Sequence, residues 1–313
     1  MTSLAFLFPG QGSQYAGMGR DLVAAFPEAR AVYDRADAAL EPFRLAISRV
    51  SFDGTEEELK RTAVTQPAIL VHSVAVFEVL KARGFSPAIL AGHSLGEWSA
   101  LVAAGALTLE EAVVLVHRRG TFMQEAVPAG QGAMGAVIGL EGPAVAEACA
   151  ETEAATGEVV SAANFNSPEQ TVIAGTANAV AKAGELLKQK GAKRVLPLPV
   201  SAPFHCALMK PAEEKLSPFL DAASFADLEV PVVTNVDVLA NLSGAEAREA
   251  LRRQVCSPVR WVETVQRLSR DAADGAIEVG PGTVLSGLAK RIAKDWPVRT
   301  TSDAEGIGKL LAG

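Results

Sequence analysis

The chain has 313 residues, enough for one large domain or two smaller ones. Hydrophobic residues at 49% and charged residues at 21% describe an ordinary globular chain and exclude a disordered one. The formal net charge of -7, from 29 Lys+Arg against 36 Asp+Glu, argues against a general nucleic-acid binder, which carries a basic footprint.

Met-Thr-Ser leads directly into Leu4-Ala-Phe-Leu-Phe8, too short and too poor in basic residues for a signal peptide. That apolar run, closed by Pro9-Gly10, has the form of a buried parallel strand. Gly10-Gln11-Gly12-Ser13-Gln14 follows as a glycine-rich turn. It lacks the third glycine of a dinucleotide fingerprint and the Gly-Lys-Ser/Thr of a P-loop, so it reads as a turn bringing backbone or an amide to a site. Arg20 to Leu40 is helical in pattern, and Thr55 with Glu58 forms a capping box for a short helix. Pro67 is placed as the first-turn proline of an apolar helix to Arg83, with Gly84 ending it. The apolar stretches Ala68 to Leu80 and Ser99 to His117 are interrupted by His72 and Glu78, and by Glu110 and Glu111, and neither reaches membrane-spanning length. Ala88 to Ala91 is strand-like and Ser94 onward helix-like; Thr108 with Glu111 caps a helix to about Ala126. Strands alternating with helices predict an α/β fold with a parallel sheet.

Between Pro128 and Pro199 the texture changes. A strand-like run (Ala136 to Leu140), an alanine-rich helix (Pro143 to Thr152), two strands (Val159 to Ala163, Thr171 to Ala174), a helix (Ala177 to Lys190) and a strand (Arg194 to Leu198) follow one another. This β-α-β-β-α-β order predicts a ferredoxin-like subdomain, 128–199, inserted into a large domain made of 1–127 and 200–313. A literal G-x-G-x-x-G at Gly130, Gly132 and Gly135 precedes a strand and opens no helix, so no nucleotide site is expected there.

Gly92-His93-Ser94-Leu95-Gly96 matches the G-x-S-x-G nucleophile elbow, with a strand before it and a helix after it. Such a turn lifts the serine hydroxyl to a helix N-terminus, where free N–H groups favour developing negative charge. The same letters also fit a serine in an ordinary glycine-flanked βα turn. A serine nucleophile needs a base, and there are four histidines. His72 lies within an apolar helix, His93 points to the opposite face from its neighbour, and His117 sits beside Arg118 and Arg119. His205, in the loop-like Ser201-Ala-Pro-Phe-His-Cys, is the best placed of the four, and no single Asp or Glu stands out to orient it. Cys149, Cys206 and Cys256 form no Cys-x-x-Cys pair, so neither a disulfide framework nor a cysteine-rich metal site is supported. A reducing, cytoplasmic setting is the simplest reading.

Phe8-Pro-Gly-Gln-Gly-Ser-Gln14, Thr65-Gln-Pro-Ala68, Gly92-His-Ser-Leu-Gly-Glu97, Arg119-Gly120, Asn164-Phe-Asn-Ser167, Ser201 to Lys210 and Thr234-Asn-Val-Asp237 occur in this order along nearly the whole chain. Together they resemble the bacterial malonyl-CoA:acyl-carrier-protein transacylases. The resemblance implies an α/β-hydrolase-like large domain with a ferredoxin-like insert. It implies Ser94 as nucleophile and His205 as base, oriented by a backbone carbonyl near Gln254 in place of an acid. Gln11 and the N–H of Leu95 would form the oxyanion hole, where one lost donor typically costs about 10²–10³ in rate. Arg119 would grip the free carboxylate of the malonyl group, since a guanidinium binds a carboxylate bidentately; otherwise it would be a helix-surface arginine like Arg118. Phe204 resembles the malonyl-selective pattern of polyketide acyltransferase domains, its ring crowding an α-methyl group. Gln66, His93 and Asn235 would support the site.

The reaction so implied is ping-pong transfer from malonyl-CoA through a Ser94 ester to the phosphopantetheine thiol of acyl carrier protein. It needs no metal or redox cofactor, nucleic acid or membrane, and the family is commonly monomeric. The alternatives are a serine thioesterase or esterase, which would show an acidic partner for His205, and a discrete malonyl acyltransferase of a polyketide synthase, with the same catalytic residues. Both substrates are anionic, so attraction must be local. Lys188, Lys190, Lys193 and Arg194 form one basic cluster and Lys290, Arg291 and Lys294 another.

Overall fold

An uninterrupted apolar strand must be covered on both faces, and Ala5–Phe8 is fully buried. The computed structural model, which describes residues 3–200 and 202–312, places that strand inside a six-stranded sheet. In chain order the strands are β1 (Ala5–Phe8), β2 (Ile89–Gly92), β3 (Gly132–Ile138), β4 (Val160–Ser167), β5 (Gln170–Thr176), β6 (Arg194–Pro197), β7 (Val232–Val233), β8 (Ala240–Asn241), β9 (Ala276–Glu278) and β10 (Val298–Thr300). The large sheet has the order β10-β9-β1-β2-β7-β8, parallel except for the antiparallel edge strand β8. Alternation along β1 sends Phe6 and Phe8 to one face and Ala5 and Leu7 to the other. The first pair packs in the core that also holds helices Pro27–Leu40, Thr62–Ala82 and Leu109–Glu125, the second in the core holding Trp261–Asp271 and Val284–Ile292.

Residues 132–197 form the second sheet, order β4-β5-β3-β6, antiparallel throughout. Helices Gly142–Thr156 and Ala177–Gln189 supply Val145, Cys149, Ala183 and Leu187 to its own small core. This is the predicted ferredoxin-like arrangement. Strand β4 runs beyond the predicted Ala163 to Ser167, through register shifts at Ala162/Asn164 and Phe165/Ser167. Its second half, Asn164-Phe-Asn-Ser, lacks an apolar run because its polar side chains turn toward the large domain, and Asn164 bridges to Val259 there.

Three helical expectations change. The segment 20–40 is two helices, Arg20–Ala25 and Pro27–Leu40, because Phe26 before proline is extended (φ -132°, ψ 116°). The apolar helix starts at Thr62, so Pro67 lies inside it rather than in its first turn. Proline cannot donate to the carbonyl four residues back, and that carbonyl, of Ala63, instead accepts from His117 Nδ1 at 2.9 Å. Helix Thr62–Ala82 is also long and apolar enough to span a bilayer by length and composition, contrary to the sequence reading, but 89% of its apolar window is buried inside the fold.

Candidate active site

In an open α/β sheet, ligands bind beyond the carboxyl ends of the strands. Here the segments after β1, β2 and β7 carry Gln11, Ser94 and Asn235 to that edge. Ser94 sits between β2 and helix Leu95–Ala103 at φ 51° and ψ -105°, a conformation disfavoured for a residue with a Cβ. The turn closes only because its flanks are glycine. A Cβ at Gly92 would fall 1.8 Å from the Gly96 carbonyl carbon, and one at Gly96 would fall 1.9 Å from the Phe8 oxygen.

His205, also at positive φ (60°), comes from the segment after the insert; Ser201, at the head of its motif, lies outside the described residues. Its Nδ1 donates to the Gln254 backbone carbonyl at 3.0 Å. That bond leaves Nε2 unprotonated, 2.7 Å from Ser94 Oγ and able to accept its proton. Burial, and next the charge of Arg119, push the imidazole down to about 3. His93, behind the serine, instead bonds Asn166 Oδ1 at 2.8 Å and sets its ring edge-on to Trp261. His72 is far from the site, between Tyr33 and the Ser302 carbonyl.

Arg119 is 1% exposed, not a surface residue. Its Nη1 donates to Gln66 Oε1 at 2.8 Å, and its Nη2 donates to Gln254 Oε1 at 2.9 Å and to Ser94 Oγ at 3.2 Å. Its Nε is buried with no partner, and the three bonds use only part of the five-donor fork, so N–H groups remain to be satisfied. Arg118 is not a plain surface residue either: its guanidinium lies over the rings of Phe43 and Phe219, at 5.3 and 4.1 Å.

Asn235 and Gln254 form the floor. Asn235 Oδ1 accepts from the Ser94 N–H at 2.7 Å while its Nδ2 donates to the Gly92 carbonyl at 2.7 Å, locking the elbow from both sides. Gln254 Nε2 donates to the Ser94 carbonyl at 3.0 Å. The Ser94 amide is thus occupied, whereas the amide of Leu95, first in its helix, has no intrahelical acceptor. The other eight predicted residues line one cleft: Gln11, Gln66, His93, Ser94, Leu95, Arg119, Phe204 and His205. Its volume of about 180 Å³ is below the roughly 300–1,000 Å³ of pockets for drug-sized ligands, and it suits a short acyl group.

Two site residues carried no role in the sequence reading. Asn166 is in a quoted motif but acquires its contact only through the fold of β4 across the site. Glu97 is 1% exposed and its Oε2 accepts from Gln254 Nε2 at 2.7 Å and from the Asn235 N–H at 2.9 Å. The available signal was an acid in the first turn of an otherwise apolar helix, Leu-Gly-Glu-Trp-Ser-Ala-Leu-Val-Ala. Of the two basic clusters, Lys190 and Lys193 pair with Glu151 and Glu169, and Arg291 bonds Gln170 of the insert, while Lys188, Arg194, Lys290 and Lys294 are exposed.

A family model described as an acyl transferase domain matches residues 5–311. The malonyl CoA-acyl carrier protein transacylase of Escherichia coli strain K12 is 51% identical over 312 residues, 99% of each chain. An acyl carrier protein S-malonyltransferase from Vibrio cholerae O1 has a similar structure, with a TM-score of 0.95 at 47% identity, covering 99% of this chain and 100% of that one. A malonyl-transacylase solved in complex with its type II polyketide-synthase acyl-carrier protein matches with a TM-score of 0.95 at 45% identity, over 99% of both chains.

Proposed function

The chain belongs to the acyl transferase domain family, and on that premise we propose that it is a malonyl-CoA:acyl-carrier-protein S-malonyltransferase supplying fatty-acid chain elongation. The observation that carries this reading is the Ser94–His205 pair beside a buried guanidinium with an unpartnered N–H. A buried arginine with spare donors asks for an anionic group, and a carboxylate on the acyl chain provides it.

Ser94 Oγ attacks the thioester carbonyl as its proton passes to His205 Nε2. The Leu95 N–H and Gln11 receive the oxyanion. When the tetrahedral adduct collapses, the C–S bond breaks and His205 returns the proton to the departing thiolate. Malonyl is left as an ester on Ser94, and the carrier-protein thiol reverses these steps. The carbonyl of Gln254 fixes the imidazole as an acid would, and it holds Nδ1 protonated throughout. A carboxylate bound to Arg119 offsets the charge that depresses His205, so the correct substrate strengthens its own general base.

Thioester and ester exchange one acyl group without net oxidation, so the transfer calls for no metal or redox cofactor. The three cysteines are free, which suits a cytoplasmic setting. Because one structural relative serves a polyketide carrier protein, the rate with each carrier type decides between pathways.

Intact-protein mass spectrometry after mixing with malonyl-CoA, then with carrier protein, tests the reading. A malonyl adduct on Ser94 should persist in buffer and move to the carrier thiol. Loss to water alone would make the protein a hydrolase, and no adduct would exclude both.

A further inference from the structure

Glu97 is the one carboxylate in the cluster, and the transfer itself does not use it. It is buried and forms no ion pair among the described residues. A carboxylate only accepts hydrogen bonds, so the Gln254 amide must turn its nitrogen toward Glu97 and its oxygen away. That oxygen receives Arg119 Nη2. A single amide, its dipole aligned with both charges, therefore separates a buried carboxylate from a buried guanidinium.

Resting on the reading that Arg119 receives the acyl carboxylate, we infer that Glu97 is the resting counter-charge of Arg119 and takes up a proton from solvent when the malonyl group binds. Two carboxylates facing one guanidinium in a dry site do not both stay ionised. The newcomer touches the guanidinium, whereas Glu97 acts across an amide, so Glu97 is the one neutralised. One proton is bound from water as the malonyl group is seated and released as it leaves, and no substrate bond changes.

Burial already pushes Glu97 up to about 7, so a further anion nearby tips it. The charged groups facing it are Arg119 from helix Leu109–Glu125, Asp237 from the turn after β7 and Arg253 from helix Gly244–Gln254. Asp237 and Arg253 neutralise each other through hydrogen bonds of 3.0 and 2.5 Å. His205 and His93 are both lowered by burial, His205 to about 3, and His205 stays neutral in the relevant range.

The test is calorimetric binding of malonyl-CoA and acetyl-CoA to Ser94→Ala, which cannot be acylated, in buffers of different ionisation heat. Subtracting the acetyl-CoA result removes the protons taken up by the coenzyme phosphates. At about pH 8 malonyl-CoA should bind with an excess uptake approaching one proton, and its Kd should rise up to about tenfold per pH unit above 7. Adding Glu97→Gln, which keeps the shape and an acceptor oxygen, should abolish the excess uptake and flatten the pH dependence. No excess uptake in Ser94→Ala, or the same uptake after Glu97→Gln, overturns the inference while leaving the transferase reading intact. Malonyl-CoA binding no tighter than acetyl-CoA overturns the role of Arg119, and the inference with it.

Discussion

Arg119 carries a full charge into a site where, among the described residues, only amide oxygens and a hydroxyl touch it. Such a group is costly to bury with donors unmet, and an acetyl group would leave its spare N–H unpaired where malonyl would not. Sites built to satisfy a polar group reject analogues lacking it by about 10⁴–10⁵. Arg119→Ala should therefore lower kcat/KM for malonyl-CoA and shrink the malonyl-to-acetyl ratio by about 10⁴. Arg119→Lys should restore charge but little selectivity, because one ammonium cannot span Gln66, Gln254 and a carboxylate together. An unchanged ratio in the alanine variant, with both substrates measured by acyl transfer, would move selectivity elsewhere in the cleft.

At the scale of elements, two helices are joined by a repair. Pro67 deprives Ala63 of its helical donor, and His117 of the neighbouring helix supplies one. His117→Leu leaves that carbonyl unpaired and should cost about 1–3 kcal/mol in urea unfolding. Pro67→Ala restores a backbone N–H for the same carbonyl, so the double variant should recover most of that loss. Strict additivity of the two changes would sink this account. The pair also shows where sequence reading stops. Thr55 with Glu58, Thr108 with Glu111 and the elbow at Ser94 were legible because their partners lie within a few residues. His205 was legible as the best of four histidines, and Gln254 only through family resemblance. The start of the Pro67 helix, the polar half of β4 and the role of Glu97 all depend on partners 54 to 157 residues away, which no local pattern encodes.

For the whole molecule, five buried groups shape how stability responds to pH. His72, His93 and His205 are held below their ordinary 6.5 by burial, His72 to about 4. Their contribution is complete above 6.5 and is lost as pH falls through the folded values, because the unfolded chain binds the protons. Glu97 and Glu278 are raised by burial from 4.5 to about 7, and their contribution is complete below 4.5 and is lost as pH rises toward 7. Between 4.5 and 6.5 the opposing slopes partly cancel, which predicts a broad plateau with losses on both sides. Glu278 isolates the alkaline arm because it lies outside the reaction. At the end of β9 it accepts from the amides of Leu285 and Ser286 at 2.9 and 2.8 Å and so caps helix Val284–Ile292. Glu278→Gln retains an acceptor but has no proton to lose. Compared by denaturant unfolding at about pH 5 and pH 8, the variant should gain about 2.5 kcal/mol relative to the parent across that interval. A constant offset between the two proteins would mean that the Glu278 carboxylate is already ionised at the acidic end. The two helix amides would then outweigh its burial, and the alkaline loss would fall on Glu97 alone.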